Sequence, residues 1–260
     1  KMGKAEDAET FSKRAHYYKN YFDSSIHFIR PKLEDGSWRT PYDPARSIHT
    51  VGDFCEGNGW QYYWYVPQNI PDLIELTGGE DAFCKRLDEF FTSDETSGAK
   101  NDNASGFVGL YAHGNEPSHH VAYLYAMAGQ PAKTQQLVEH IKRTLYNTSS
   151  SGYAGNDDCG EMSAWYVFSA LGFYPVNPAS GEYVIGSPTV DHAEIMLPGG
   201  KKFTIVVKRK GGAGAAYVKS VKLNGHKLDG YVLKHADIMK GGTLEFEMVA
   251  RPKGKVLNLR

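Results

Sequence analysis

The sequence has few cysteines, almost no net charge and no long apolar run. Three cysteines in 260 residues are too few for a disulfide scaffold, and the sequence leaves a Cys55–Cys84 pair open. Lysine plus arginine number 29 against 30 acidic residues, so the formal net charge of −1 provides no field that attracts nucleic acid or an anionic membrane. No stretch approaches the roughly 18 consecutive apolar residues of a membrane-spanning helix.

Aromatic residues are abundant instead. Trp, Tyr and Phe make up 13% of the chain, and 28 glycines accompany them. Aromatic rings stack on the C–H faces of sugars, but Tyr and Trp also fill ordinary protein cores. The composition is that of a globular protein and gives only a weak indication of a carbohydrate ligand.

The first residues show no secretory leader pattern. Lys1-Met2-Gly3-Lys4 leads directly into a helical pattern, and we expect such a chain to be part of a longer polypeptide. N-glycosylation triplets begin at Asn103 and Asn147, both in loops rich in small polar residues. They favour a secreted, extracellular protein, with a bacterial periplasm or cell surface as the alternative.

The hydrophobic pattern of residues 1–180 is helical. Apolar residues spaced by three and four predict a first helix over residues 8–22. Gly78-Gly79 and Gly129-Gln130-Pro131 each predict the turn of a helical hairpin, and repeated hairpins are typical of a helical array or toroid. Residues 162–171 are almost entirely apolar, which predicts a helix buried inside that array.

Residues 181–260 show the alternation that is typical of strands. Asn224-Gly225 stands between two short alternating segments and predicts a two-residue hairpin. We therefore expect a mainly α chain with a β-rich C-terminal part: helices over residues 1–180 and antiparallel strands over residues 181–260.

Three polar loops precede predicted helices and carry the candidate chemistry. In the first loop, Glu56 stands between Phe54-Cys55 and a pair of nearby glycines. A carboxyl group among apolar neighbours favours its protonated form and can act as an acid. The alternative is that Glu56 caps the following helix, where negative charge is stabilising.

The second loop covers residues 113–120. Pro117 suits a first helical turn, which makes Asn115 or Glu116 the natural cap. Asn and Glu oxygens are also calcium ligands. A zinc site built from His113, His119 and His120 is the weaker alternative, because adjacent histidines on a helix point about 100° apart.

The third loop covers residues 155–160 and contains two adjacent acids, Asp157 and Asp158. Capping needs only one of them, and two close carboxylates repel unless a cation or a shared proton compensates. A Ca²⁺ held partly by Glu116, with Asp157 or Asp158 activating a water beside it, explains both loops. Paired carboxyl groups near aromatic rings are the working parts of a glycoside hydrolase.

At these loops the sequence resembles glycoside hydrolase family 92, the calcium-dependent exo-acting α-mannosidases. The resemblance extends over most of the chain up to about residue 188. Its motifs are Glu56-Gly57-Asn58-Gly59-Trp60-Gln61-Tyr62, Gly114-Asn115-Glu116-Pro117-Ser118-His119-His120, residues 155–166, and Gly172-Phe173-Tyr174-Pro175-Val176.

The resemblance implies a portion of an (α/α)6 toroid followed by antiparallel β strands, and an inverting enzyme. It implies Glu56 as the general acid and Asp158 as the general base, with Asp157 as the neighbour or substitute of Asp158. The residues implied around the Ca²⁺ are Asn115, Glu116 and Asp158. Those implied in the sugar pocket are Trp60, Gln61 and His113.

The implied substrate is a terminal α-linked mannose of a mannan or an N-glycan, and we expect an α-1,2 linkage. Family members carry an N-terminal β-sandwich and a complete toroid. We therefore expect the N-terminal half of the same enzyme as a partner, without which this chain is inactive. A non-catalytic glycan-binding toroid and a toroidal glucoside hydrolase stay open as alternatives.

Overall fold

The computed structural model describes residues 2–47, 52–94 and 104–259. The α-helices are α1 (Ala5–Arg14), α2 (Gly59–Tyr62), α3 (Ile70–Thr77), α4 (Glu80–Thr92), α5 (Leu124–Met127), α6 (Pro131–Thr144), α7 (Glu161–Leu171) and α8 (His235–Ile238). Short 3-10 turns cover Tyr17–Tyr21, Pro67–Asn69, Glu116–Ser118, Val121–Tyr123, Pro198–Gly200 and Gly212–Gly214.

Strands dominate the C-terminal part. They are β1 (Phe22–Asp23), β2 (Phe28–Ile29), β3 (Phe107–Val108), β4 (Tyr111–Ala112), β5 (Phe173–Tyr174), β6 (Glu182–Ile185), β7 (His192–Met196), β8 (Lys202–Lys210), β9 (Tyr217–Leu223), β10 (His226–Lys227), β11 (Val232–Lys234) and β12 (Gly242–Val249). The larger sheets have the orders β10-β9-β12-β8-β7 and β11-β6-β5, and β1-β2 and β3-β4 form separate pairs.

The predicted hairpin is confirmed, and one pairing differs from the antiparallel expectation. Asn224 and Gly225 both have positive φ (52° and 82°) and join β9 to β10, as a two-residue hairpin requires. β12 pairs with β9 in antiparallel fashion but with β8 in parallel. β12 lies between β8 and β9, and these two strands run in opposite directions. It is therefore parallel to one neighbour and antiparallel to the other.

The first helix is shorter than its apolar spacing predicts. α1 ends at Arg14, a 3-10 turn follows, and the chain is extended from Phe22 onwards. Tertiary bonds hold that turn, since the Tyr18 hydroxyl donates to the Asp72 carboxylate and Lys19 Nζ lies 2.7 Å from Asp72 Oδ1. Within the described part of the chain, α1 buries none of its own side chains.

The helical hairpins at the glycine-containing turns are confirmed. Gly78 is left-handed (φ 106°) and its N–H donates to the Glu75 carbonyl at 3.0 Å, which ends α3 just before α4 begins. Gly129 is also left-handed (φ 75°), and Pro131 is the first residue of α6. Both turns therefore use the conformations that these residue types favour.

Helix α7 is apolar, but it is not buried on all sides. Met162 and Trp165 are fully buried, whereas Ala164 is exposed and Val167 is 55% exposed. The expectation of a helix enclosed by the array is therefore wrong for the described residues. The apolar composition of α7 does not specify which of its faces is buried, and the described residues that pack against α7 cover only one face.

Two apolar cores meet along α6. One lies among α2 to α7 and is rich in aromatic rings, and the other lies between the C-terminal sheets. Gln135 Oε1 accepts from the Val218 N–H at 3.0 Å, and Lys142 Nζ donates to the Ser187 carbonyl at 2.6 Å. The helices and the strands therefore pack directly on each other. The division between residues 180 and 181 stays a prediction.

The cysteines are free thiols. Cys84 is buried in α4, where burial raises the pKa of its thiol to about 11, while Cys55 and Cys159 are exposed. The Cys55–Cys84 pair that the sequence left open is therefore not formed. Within the residues described, none of the helices is both long and apolar enough to cross a bilayer.

Candidate active site

Glu56 lies in the loop before α2 and has a left-handed backbone. Its φ is 52°, and its side chain is half-buried. The helix cap is Asn58, whose Oδ1 accepts from the Gln61 N–H at 3.0 Å while Gln61 Oε1 accepts from the Asn58 N–H at 3.2 Å. This reciprocal capping box makes Asn58 the side-chain cap of α2.

The second loop is tied to the first through Asn115. Asn115 precedes the 3-10 turn Glu116–Ser118, but its side chain does not cap that turn. Its Nδ2 instead donates to the Glu56 carbonyl at 2.7 Å. The bond joins the loop of Glu56 to the loop of Glu116 and places both acids in one region of the fold.

In the third loop the two adjacent aspartates have different surroundings. Asp157 Oδ1 accepts from the Ser163 N–H at 2.9 Å and from its hydroxyl at 2.8 Å, which caps α7. Asp158 is exposed and left-handed (φ 45°), as are the two residues after it, Cys159 (φ 60°) and Gly160 (φ 93°). Backbone of this kind is costly for residues other than glycine and is concentrated at functional sites.

Two glycines let the second and third loops touch. A Cβ on Gly155 would lie 2.9 Å from the Cα of Gly114 and 3.0 Å from its carbonyl oxygen. A Cβ on Gly114 would lie 2.2 Å from Ser105 Oγ and 3.0 Å from the Ala154 carbonyl oxygen. Both loops therefore need glycine at the contact, because a real Cβ does not approach other atoms so closely.

This contact brings the loops of Glu116 and Asp158 together. Burial and a hydrogen bond shared with Asp158 raise the pKa of Glu116, and the charges of Asp158 and Glu161 add to the effect. The Tyr62 hydroxyl is near the same group: burial, with the charges of Cys55 and Glu56, raises its pKa to about 12. The site is thus strongly acidic and partly shielded from water.

The donor set fits a hard cation better than a soft one. Across the residues that the structure describes, no three His, Cys, Asp or Glu side chains converge in a way that could hold a metal ion. The Glu116–Asp158 pair and the amide oxygen of Asn115 are nevertheless hard oxygen donors, which Ca²⁺ prefers. A cation beside the pair would relieve the repulsion between its carboxyls.

Two of the residues expected in the sugar pocket have their polar groups bonded within the protein. His113 is fully buried, and its Nδ1 and Nε2 lie 2.6 Å from the hydroxyls of Tyr111 and Tyr146. Gln61, which is 3% exposed, also donates from Nε2 to the Leu110 carbonyl at 3.2 Å. Both side chains support the loops from behind, and their contact with a sugar stays a prediction.

Trp60 is half-buried against aromatic rings. Its ring lies 5.1 Å from that of Phe28 and 6.3 Å from that of Phe90, measured between centroids. Trp60 therefore lies at the edge of the aromatic core, with part of its side chain exposed. Its contact with a sugar also stays a prediction.

The histidines of the second loop bind different partners, which does not support the zinc alternative. His120 Nε2 donates to the Trp64 carbonyl at 2.8 Å, and burial lowers the pKa of His120 to about 4. His119 Nε2 donates to the His113 carbonyl at 2.9 Å, and His119 Nδ1 lies 3.1 Å from Glu161 Oε1. Burial also lowers the pKa of His113 well below its usual value.

Sequence reasoning missed Tyr62 and Glu161 as site residues. Tyr62 donates to the Cys55 carbonyl at 2.5 Å, next to Glu56. Helical side chains lean back towards the N-terminus of their helix, so a residue in the first turn of α2 lies over the preceding loop. This rule could have identified Tyr62 from the sequence. Glu161 is found only through its bond to His119, which is distant in sequence.

Two cavities adjoin the Glu56 loop, and Asp53 and Phe54 line both of them. One has a volume of about 390 Å³ and includes Arg39 and Arg46 in its wall. The other, of about 370 Å³, is largely aromatic, with walls formed by Tyr18, Tyr21, Tyr62 and Tyr65. Glu56 itself lines neither cavity, but its neighbours Gly57 and Cys55 line the first and the second respectively.

Comparison with known proteins agrees with this geometry. Residues 1–250 match the family model described as the glycosyl hydrolase family 92 catalytic domain. The chain is 27% identical over 270 residues to an uncharacterized secreted glycosidase of Arthroderma benhamiae, covering 95% of this chain and 33% of the relative.

Two solved structures from Bacteroides thetaiotaomicron are also similar. The GH92 α-mannosidase BT3965 in complex with mannoimidazole is 38% identical with a TM-score of 0.89, covering 97% of this chain and 34% of that protein. The inverting mannosidase BT2199 is 36% identical with a TM-score of 0.83, covering 96% and 35%. The chain therefore spans about a third of the length of the relatives it matches, and it has the fold of a toroid portion followed by a β-rich part.

Proposed function

Because the chain belongs to glycoside hydrolase family 92, we propose that it carries catalytic machinery of an exo-acting, inverting α-mannosidase. One observation in particular supports this: Asp157 caps α7, while the loop of Asp158 touches the loop of Glu116 at Gly155 and Gly114. The loop that contains Glu56 is bonded to the loop of Glu116 through Asn115. Inversion requires an acid and a base on opposite faces of the sugar, and separate loops can supply them.

The proposed reaction uses the two carboxyls on opposite sides of the sugar. Glu56 donates its proton to the glycosidic oxygen as the bond from that oxygen to the anomeric carbon breaks. Asp158 takes a proton from the water that attacks the anomeric carbon from the opposite face. Inverting enzymes hold the two carboxyls roughly 6.5–9.5 Å apart to leave room for that water. The left-handed backbone at both residues is consistent with positions held for catalysis.

The proposed cofactor is Ca²⁺, held by Asn115, Glu116 and Asp158. When bound, it supplies positive charge that binds sugar hydroxyls and stabilises the transition state. The protein contributes the close approach of Gly114 and Gly155, which brings the loops of Glu116 and Asp158 together.

The proposed substrate is terminal α-linked mannose, with an α-1,2 linkage, in a mannan or an N-glycan. The similarity to a mannosidase whose structure contains mannoimidazole supports a mannose-shaped pocket. Trp60, Gln61 and His113 would form or support its wall. Because the matched relatives are about three times longer, we propose that the N-terminal half of the same enzyme completes the site.

We also propose a secreted enzyme. The Arthroderma relative is called a secreted glycosidase, and Asn147, the first residue of one glycosylation triplet, is exposed. The other triplet residue, Asn103, lies outside the residues that the structure describes. A glycan on Asn147, detected by mass spectrometry of the native protein, would agree with this localisation.

The test is hydrolysis by the complete protein of α-1,2-, α-1,3- and α-1,6-linked mannose disaccharides, followed by ¹H NMR. We expect β-mannose as the first product, loss of activity with EDTA and its return with Ca²⁺. The variants Glu56→Gln and Asp158→Asn should bind but not hydrolyse. Binding without turnover by the unmodified protein would show a glycan-binding toroid, and preferential hydrolysis of α-glucosides would show a glucosidase. Either result overturns the proposal.

A further inference from the structure

A contact between His119 and Glu161 lies beside the proposed calcium site. His119 comes three residues after Glu116, and Glu161 comes three residues after Asp158. His119 Nδ1 lies 3.1 Å from Glu161 Oε1, with the imidazole 2% and the carboxyl 43% exposed. The same two loops therefore meet twice, first where Gly114 contacts Gly155 and then where His119 contacts Glu161.

We propose that His119 and Glu161 form a positioning pair that holds the loops of Glu116 and Asp158 together; this inference rests on the proposed function. Two facing carboxyls push their loops apart whenever both are ionised. The His119–Glu161 contact joins the same loops three residues after each of these acids. This bond opposes the separation of the loops, even though the charge of Glu161 also acts on Glu116.

The imidazole of His119 is well placed to act as an anchor because bonds fix its orientation. Its Nε2 donates to the His113 carbonyl at 2.9 Å, so Nδ1 is directed at Glu161. The His119 carbonyl accepts from Trp165 Nε1 at 2.9 Å, and the His119 N–H donates to the Glu116 carbonyl at 3.2 Å. Little freedom is left for the ring to follow Glu161 if that residue moves.

Glu161 transmits the contact to Asp158 through the start of α7. It is the first residue of the helix and directly follows the left-handed turn of Asp158, Cys159 and Gly160. Its N–H donates to the Asp157 carbonyl at 2.8 Å and lies 3.3 Å from that of Asp158. Fixing the Glu161 side chain therefore fixes the turn that presents Asp158. Glu161 acts through this turn, which makes it a positioning residue.

Substitutions of Glu161 can distinguish the effect of its hydrogen bond from the effect of its carboxyl group. A contact between Nδ1 and Oε1 needs one proton between the two atoms. In Glu161→Gln an amide N–H can donate to Nδ1, so the bond is kept. In Glu161→Met the side chain has a similar length but cannot form the bond. Glu80→Ala is the matched control, because Glu80 is also an acidic first residue of a helix, α4, and is exposed.

The experiment measures kcat, KM and the Kd for Ca²⁺ by calorimetry in the complete enzyme. Residues behind metal ligands typically change metal affinity 10- to 100-fold. We expect Glu161→Met to weaken Ca²⁺ binding at least tenfold and to lower kcat by a similar factor with little change in KM. Glu161→Gln should stay within about threefold of the unmodified enzyme, and Glu80→Ala should be unchanged.

Two outcomes overturn the inference. One is a Glu161→Met enzyme with kcat and Ca²⁺ affinity within about twofold of the original. The other is a Glu161→Gln enzyme as impaired as Glu161→Met, since the bond alone would then not matter. If Glu161→Met does not fold, as judged by circular dichroism, Glu161→Ala makes the same test. Glu56→Gln and Asp158→Asn are assayed alongside, and full activity in both would instead refute the proposed function.

Discussion

Asp157 and Ser163 are joined by two hydrogen bonds to one carboxylate oxygen, from the Ser163 N–H at 2.9 Å and from its hydroxyl at 2.8 Å. Ser163 lies in the first turn of α7, where backbone N–H groups need acceptors. Asp158, the next residue, has a left-handed backbone, and its charge contributes to the raised pKa of Glu116. Adjacent acids therefore serve the helix and the proposed site respectively.

Substitution should separate the two aspartates. Asp157→Ala removes a helix cap and should lower the free energy of unfolding by about 1 kcal/mol while leaving substantial activity. Asp158→Ala should lower kcat by about 10²- to 10⁴-fold with a smaller effect on stability, because a general base is lost. Thermal melting and kcat of the complete enzyme measure both. Ser163→Ala, which keeps the backbone bond, is the control, and an inactive but stable Asp157→Ala enzyme would contradict the assignment.

The general-acid role of Glu56 should depend on the leaving group. Glu56→Gln should reduce kcat/KM for a mannose disaccharide by about 10²- to 10⁴-fold, because the departing alcohol needs a proton. With an aryl mannoside whose phenolate leaves without protonation, the loss should be much smaller. The comparison uses kcat/KM of both substrates. Equal losses on the two substrates would count against Glu56 as the acid.

The glycine contact between the loops should be essential for the site. In Gly155→Ala the new Cβ would lie 2.9 Å from the Gly114 Cα, so one loop must move. We expect a fall in kcat of at least tenfold, since misplacing a catalytic group by about 1 Å costs roughly 10²-fold. Gly214→Ala is the matched control, because no described atom lies within 4 Å of a Cβ there. Equal activity of the two variants would contradict the prediction.

His120 should make the fold sensitive to acid. Burial lowers the pKa of this histidine from 6.5 to about 4, so the unfolded chain binds a proton that the folded protein resists. The free energy of unfolding should therefore fall as the pH drops from 6.5 to 4, by about 3 kcal/mol in total from this residue. His120→Gln should flatten that part of the profile. Melting temperatures at intervals of half a pH unit measure the effect, and parallel profiles for the two proteins would refute it.

Lys142 should have the same kind of consequence at alkaline pH, where stability again rises with pH. Burial lowers the pKa of its amine from 10.5 to about 8, although Glu139 lies 3.3 Å away. Between these values the unfolded chain holds more protons, so stability should rise by about 2 kcal/mol from pH 8 to 9.5. Lys142→Met should lack that rise. Measurement stops at pH 9.5, because ionisation of tyrosines in the unfolded chain then opposes it.

Several features of the fold could be predicted because they depend on neighbouring residues. Gly78 and Gly129 adopt the left-handed conformation that ends a helix, and Asn224-Gly225 forms the expected hairpin. The apolar spacing of residues 8–22 predicted too long a helix, because Tyr18 and Lys19 bond to Asp72, which is more than fifty residues away. Local spacing contains no information about such a partner.

The sequence alone determined which residue types carry the chemistry: acids in loops just before helices, with glycines beside them. Tertiary structure decided their roles. It showed that Asn58 caps α2, that Asp157 caps α7, and that the loops of Asp158 and Glu116 touch at Gly155 and Gly114. The physical reason is the distance along the sequence over which each feature is determined. Helix ends and turns depend on the backbone of a few adjacent residues, whereas a contact between carboxyls depends on which loops the packed core brings together.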